Sequence, residues 1–147
     1  MIIADTGFFY AVANRSDDYN QVARQFQRTL QEPLITTYPV ITETCYFLLE
    51  SLGNHAQCQF LKGLVVGAFE VFHLQSHHVD RAIKLMERYA DQPMDFTDAS
   101  LVVLAEHLGH GRILTVGSFG VALCANRCDF STYRYNNTQP FENLLIS

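Results

Sequence analysis

The chain has 147 residues, of which 48% are hydrophobic and 17% charged, and it carries a formal net charge of -5. That length fits one domain spanning residues 1–147, in which roughly 68–70% of the unfolded surface is buried on folding, and the composition excludes a disordered chain, which needs low hydrophobicity and high charge. An acidic chain does not hold nucleic acid by phosphate neutralisation alone, so any such role falls to local basic residues or to a metal that offsets the carboxylates.

Four cysteines, Cys45, Cys58, Cys124 and Cys128, form no C-x-x-C pair and no finger-like spacing. They read as reduced, mostly buried thiols. The N-terminus has no basic stretch, Asp5 interrupts its apolar run, and the longest apolar segments, near Leu64 and Leu101, are too short to span a bilayer. The expectation is a soluble, cytoplasmic protein with no membrane role.

In chain order, Ile2-Ile3-Ala4 is a short strand that ends in Asp5-Thr6-Gly7 and passes into helix-compatible Phe8-Phe9-Tyr10-Ala11-Val12. Asp17 and Asp18 start a helix over residues 19–31 with Val22, Ala23, Phe26 and Leu30 on one face, and Glu32-Pro33 stops it. Residues 34–37 form a second strand. Pro39 suits the first turn of the next helix, which carries Glu43, and Gly53-Asn54 ends it before another helix over residues 56–66. Residues 69–74 read as a third strand, half apolar because of Glu70 and His73. Ser76 caps a helix with Val79, Ile83, Met86 and Tyr89 on one face, and Asp91-Gln92-Pro93 breaks the chain. Then come Met94-Asp95-Phe96-Thr97-Asp98 and a strongly apolar helix over residues 99–108, closed by Gly109. Residues 112–116 are the clearest strand after the first, residues 117–126 are ambiguous, and residues 131–135 form a last strand. Strands alternating with helices predict an α/β fold, a three-layer α/β/α sandwich on a central, mainly parallel sheet whose strands begin near Met1, Leu34, Phe69, Arg112 and Ser131.

Asp5 then lies at the carboxyl end of a strand, where ligands collect in open α/β sheets. A parallel sheet brings Glu43, Asp95, Asp98 and Asp129 within reach of it. Each acid has a simpler role: Asp5 as a helix cap assisted by Thr6, Glu43 as a first-turn acid, Asp95 and Asp98 as a capping pair. Taken together, clustered carboxylates need a cation or a shared proton, and hard oxygen donors favour Mg²⁺ or Mn²⁺. Asp5-Thr6-Gly7 also matches the short signature of aspartic proteases, but those enzymes are nearly all β, which amphipathic helices argue against. His77-His78 and the pair His107 and His110 lack the spacing of zinc hydrolases and read as capping or solvated side chains. Arg112, Arg127 and Arg134 read as surface arginines, with phosphate contact near the sheet end as the alternative.

The sequence resembles the PIN-domain family, in particular its VapC-type ribonuclease toxins. The resemblance covers nearly the whole chain and rests on Ile3-Ala4-Asp5-Thr6-Gly7, Thr42-Glu43-Thr44-Cys45-Tyr46-Phe47-Leu48-Leu49, residues 94–105 from Met94-Asp95-Phe96-Thr97-Asp98 onward, Arg112-Ile113-Leu114-Thr115, and Asp129-Phe130-Ser131-Thr132-Tyr133-Arg134. It implies a metal-dependent endoribonuclease in which Asp5, Glu43 and Asp98 are catalytic and hold Mg²⁺ or Mn²⁺. Asp95 is an accessory acid, and Thr6 and Thr115 are accessory neighbours. The family usually continues Thr-x-Asp, whereas Gly117 stands here, with Asp129-Phe130 displaced beyond an insertion over residues 118–128. Asp129 could replace the missing ligand, Ser118 could contribute an oxygen, or the site could be weakened, leaving an inactive scaffold that binds RNA or protein. The resemblance further implies RNA as substrate, a small antitoxin whose Arg side chain reaches the acids, and a homodimer through residues 40–66.

Overall fold

The structure, a computed structural model, describes residues 1–91 and 94–116 together with the backbone of strand Thr132–Tyr135. Its elements are β1 (Ile2–Ala4), α1 (Thr6–Ala13), α2 (Asn20–Thr29), β2 (Leu34–Thr37), α3 (Tyr38–Leu52), α4 (Asn54–Val65), β3 (Glu70–Phe72), α5 (Ser76–Arg88), α6 (Phe96–Leu108), β4 (Ile113–Val116) and β5 (Thr132–Tyr135). The sheet has the order β3-β2-β1-β4-β5, and every described pairing is parallel. The expected α/β/α sandwich on a parallel sheet is what forms, and an all-β protease is excluded.

Strands buried on both faces need continuous apolar runs. β1, β2 and β4 have every residue buried, whereas β3 at the edge is exposed at Glu70 and only half-buried after it. Register places Ile3 between Ile35 and Ile113. The chain leaves β1 for β2 and β3 on one side, then returns to β4 and β5 on the other, so the connections diverge at the carboxyl end of β1. In an open α/β sheet that divergence opens a crevice.

α6 packs on β1 and β2 and is covered by α5, which explains why Ala99 to Ala105 are all buried without any amphipathic stripe. Gly109, at φ 72°, adopts the left-handed conformation that ends this helix. α1 packs against β4, α2 and α3. Phe9, Phe60 and Phe69 form an aromatic cluster with centroids 4.8–5.4 Å apart, fastening α1 to α4 and to the chain entering β3.

Several expected boundaries shift. α2 starts at Asn20, behind an Asp17 carboxylate that accepts from the Tyr19 amide at 2.8 Å. α4 starts at Asn54, directly after Gly53. α5 is capped by Gln75 rather than Ser76, with the His78 Nδ1 accepting from the Gln75 amide at 3.1 Å. Cys45 is half-buried and Cys58 exposed, so mostly buried thiols do not describe this pair.

Candidate active site

Asp5 follows β1 at the crevice. Its amide donates to the Leu114 carbonyl at 3.2 Å, which locks it to β4, and the side chain is 1% exposed. One carboxylate oxygen, Oδ1, caps α1 by accepting from the Phe8 amide at 2.8 Å. The other, Oδ2, is buried with no hydrogen-bond partner, and so is the nearby Thr115 hydroxyl. Burial pushes the Asp5 carboxyl up to about 7, against the lowering effect of the Thr115 hydroxyl and the Phe8 amide; Asp98 and Glu43 add repulsion. The Thr115 hydroxyl thus favours the charged form by proximity, while its geometry falls short of a hydrogen bond.

Glu43 projects from α3 and accepts a hydrogen bond from the Thr6 hydroxyl. Partial burial raises its carboxyl above the usual range, the Thr6 bond opposes this, and Asp95 raises it further. Asp95 caps α6, its Oδ1 accepting from the Asp98 amide at 2.8 Å. Asp98, in the first turn, is pushed up to about 6 by burial, then by repulsion from Asp95 and, more weakly, from Glu43. Asp5, Glu43, Asp95 and Asp98 therefore share one electrostatic neighbourhood, although they are separated widely in sequence. The simple capping roles hold for Asp5 and Asp95, yet they occupy only part of each carboxylate.

Among the described residues no three acidic, histidine or cysteine side chains close into a ready-made metal cage. The donor set still fits a small hard cation. Mg²⁺ keeps several waters and binds through one or two carboxylates plus substrate phosphate, and the unpartnered Oδ2 of Asp5 is a buried oxygen in want of a donor or a cation. Gly117, Ser118 and Asp129 lie outside the described residues, as do Cys124, Cys128 and Arg127.

Arg112 is not near the acids. It precedes β4 at the opposite, amino end of the sheet and pairs with Glu32, which also binds the N-terminal ammonium at 2.9 Å. His78 and His107 pack on Phe72, with centroids 4.8 and 4.6 Å away. Sequence reasoning missed two features. The Thr37 hydroxyl bonds the Ser100 hydroxyl at 2.7 Å, both wholly buried, and ties the end of β2 to the helix that carries Asp98. Beside Glu43 a groove of about 800 Å³ is lined by Tyr38, Thr42, Tyr46, His73, Phe96 and Thr97, among others. The spacing of Thr42, Glu43 and Tyr46 on one helix face was the available signal.

A parallel α/β sheet with carboxylates gathered at its carboxyl-end crevice defines a class of acidic-cleft α/β domains. The sequence profile of the PIN domain family matches residues 2–118, and the chain belongs to that family. It is 24% identical over 115 residues to Ribonuclease VapC26 of Mycobacterium tuberculosis (strain ATCC 25618 / H37Rv), covering 78% of this chain and 85% of that one. Its fold is similar to that of the Mycobacterium tuberculosis VapC20 sarcin-ricin loop cleaving toxin, with a TM-score of 0.78 at 18% identity over 84% of this chain and 95% of the other. A toxin-antitoxin complex from Klebsiella pneumoniae matches with a TM-score of 0.55 at 14% identity, over 80% and 85% of the two chains.

Proposed function

We propose that this PIN domain is a metal-dependent endoribonuclease and the toxin of a toxin-antitoxin pair, with residues 1–147 as one domain. The observation that carries the reading is the buried Asp5 Oδ2, left without a partner in a cleft shared with Glu43 and Asp98. The names of the similar proteins, a ribonuclease and a sarcin-ricin loop cleaving toxin, support RNA as the substrate. Asp5, Glu43 and Asp98 would hold Mg²⁺ or Mn²⁺, with Asp95 beside them; such a cation, when bound, lowers the pKa of a water and clamps the scissile phosphate. Of the chain's own groups, Asp5 is positioned by the α1 amides, and Thr6 fixes the Glu43 carboxylate through its hydroxyl.

A second reading, an inactive scaffold that binds RNA or a protein partner, is favoured by one residue: Gly117 stands where the family's further aspartate belongs, and a glycine offers no ligand. Asp129 and Ser118 are the replacements within reach in sequence. An RNA cleavage assay with Mg²⁺ and with Mn²⁺ separates the two. The nuclease reading requires cleavage that Asp5→Asn abolishes, is better supported by Mn²⁺ than by geometrically strict Mg²⁺, and rises in Gly117→Asp. If the wild type does not cut and neither substitution changes metal binding, the scaffold reading replaces it.

An antitoxin with an Arg reaching the cleft fits the acids, since its planar fork pairs bidentately with a carboxylate. The exposed apolar side chains along α3 and α4, including Leu49, Leu52 and Leu61, with Val65 and Val66 84% and 79% exposed, fit a homodimer. Among the described residues no helix is long and apolar enough to cross a membrane.

A further inference from the structure

The groove beside Glu43 is built differently from the acids it adjoins. Pro39, Thr42, Glu43 and Tyr46 lie on one face of α3, at spacings of three and four residues that put neighbouring side chains together. Phe96 and Thr97 close it from the first turn of α6, between Asp95 and Asp98, while His73 and Leu74 close it from the end of β3. Its volume of about 800 Å³ is that of a small-molecule site, for which about 300–1,000 Å³ is usual. Three of its aromatic side chains are held open to solvent although burial would favour them: Tyr46 is 59%, Tyr38 47% and Phe96 39% exposed. The Tyr38 ring meets His73 edge-on at 5.5 Å, which fixes its plane rather than covering it.

We infer that this groove is a base-stacking subsite, in which an unpaired nucleobase of single-stranded RNA lies against Tyr46, Tyr38 and Phe96 while the adjoining phosphate faces the carboxylates. The inference rests on the nuclease reading for the orientation of the strand. Three features select a nucleobase. Flat rings held at the surface stack any base, which has a π-face whatever its sequence. Thr42 and Thr97 are among the lining residues, and a threonine hydroxyl is both a donor and an acceptor for a base edge. The groove is continuous with the acids through Glu43, so its occupant must bring a group that tolerates a metal-loaded carboxylate cluster at one end and an apolar wall at the other. A nucleotide carries both. The crevice order of the sheet then sets the path of the strand: phosphate over β1 and β4, base over β2 and β3.

The test is equilibrium binding, by fluorescence anisotropy in Mn²⁺ buffer, of a labelled short single-stranded oligoribonucleotide and of the same probe with an abasic position, with probe integrity checked on a gel. Stacking on one ring contributes enough that its loss weakens binding by on the order of 10-fold. Tyr46→Ala is expected to lose about that factor on the base-bearing probe and little on the abasic one, and Tyr46→Phe, which keeps the ring, to recover it. Tyr46 is exposed, and an unchanged Tm establishes that the variant is folded. Equal affinity of the wild type for both probes, failure to bind either, or an unchanged Tyr46→Ala affinity overturns the subsite. If Tyr46→Ala turns a dimer into a monomer in light scattering without affecting probe binding, the groove belongs to a second copy and the inference is again overturned. Cleavage that Asp5→Asn abolishes, with no base dependence, leaves the nuclease standing without the subsite; base-dependent binding without cleavage leaves the subsite standing alone.

Discussion

Asp5 divides its two oxygens between two tasks. Oδ1 caps α1 through the Phe8 amide, and Oδ2 is left buried and unpartnered. The cap explains why Asn is the informative substitution: it keeps an oxygen at the same place and removes the charge, so any loss of function is separable from loss of the helix start. Stability against pH carries the same information. Asp5 rises from 3.8 to about 7 and Asp98 from 3.8 to about 6, so over that interval the folded chain binds more protons than the unfolded one. The groups facing Asp5 are Glu43 and Asp98, which raise it, and the Thr115 hydroxyl and Phe8 amide, which lower it. Their contribution to stability is fully present below about pH 4 and is lost as pH rises towards 7, because stability falls with pH wherever the native state holds the extra protons. In EDTA, Tm is expected to fall between about pH 4 and about pH 7, to be restored by Mn²⁺, and to fall less steeply in Asp5→Asn. A wild-type profile that is flat in EDTA, or indistinguishable from that of Asp5→Asn, would contradict the burial of an uncompensated carboxyl.

At the scale of elements, the acids are positioned by hydroxyl contacts that join one element to another. Thr36 donates to the Ala4 carbonyl at 2.8 Å, tying β2 to the residue before Asp5. Ser100 donates to the Thr97 carbonyl at 2.7 Å, so its oxygen accepts from Thr37. Ser100→Ala leaves the Thr37 hydroxyl buried and alone, at a cost of about 1–3 kcal/mol. Adding Thr37→Val, which removes that stranded hydroxyl, is expected to recover part of the loss in denaturant unfolding. A double variant as unstable as the sum of the singles would show that the two hydroxyls act independently. The elements themselves were legible, since β1 is wholly apolar, β2 and β4 are rich in β-branched residues, and α6 carries a long apolar stretch from Leu101 to Ala105. Edges were not: Phe69 reads as strand but is drawn into the Phe9 and Phe60 cluster, shortening β3 to Glu70–Phe72. The four acids were readable one by one as caps or first-turn acids, a role that Glu43 does not have, since it lies past the first turn of α3, and only the strand order makes them neighbours. Of the aromatic groove only the α3 face of Thr42, Glu43 and Tyr46 was legible, because its other walls come from α6 and the end of β3, whose mutual register no local pattern encodes.

On the scale of the whole molecule the difficulty is charge. Fifteen Asp and Glu against ten Lys and Arg give a net charge of -5, and the cleft holds part of that excess in partly buried form. A phosphodiester approaching those carboxylates meets repulsion that Arg112 does not offset: this arginine, one of three for which phosphate contact was the alternative reading, is at the opposite end of the sheet and engaged by Glu32. Proteins that bind nucleic acid by releasing counterions lose affinity steeply with monovalent salt. Under the proposed nuclease reading, divalent cations carry the attraction and the monovalent dependence is shallow. Binding of a short single-stranded RNA is therefore expected to be negligible in EDTA and to strengthen with Mn²⁺ or Mg²⁺. At fixed divalent concentration it should weaken only modestly between about 50 and 200 mM salt, rather than by the roughly 10³-fold or more seen with many phosphate contacts. The same titration on Asp98→Asn should shift the divalent concentration needed, since it removes one of the proposed carboxylate ligands. Tight RNA binding in EDTA with a steep salt slope would place the RNA on a basic surface elsewhere in the chain and detach binding from the acidic cleft.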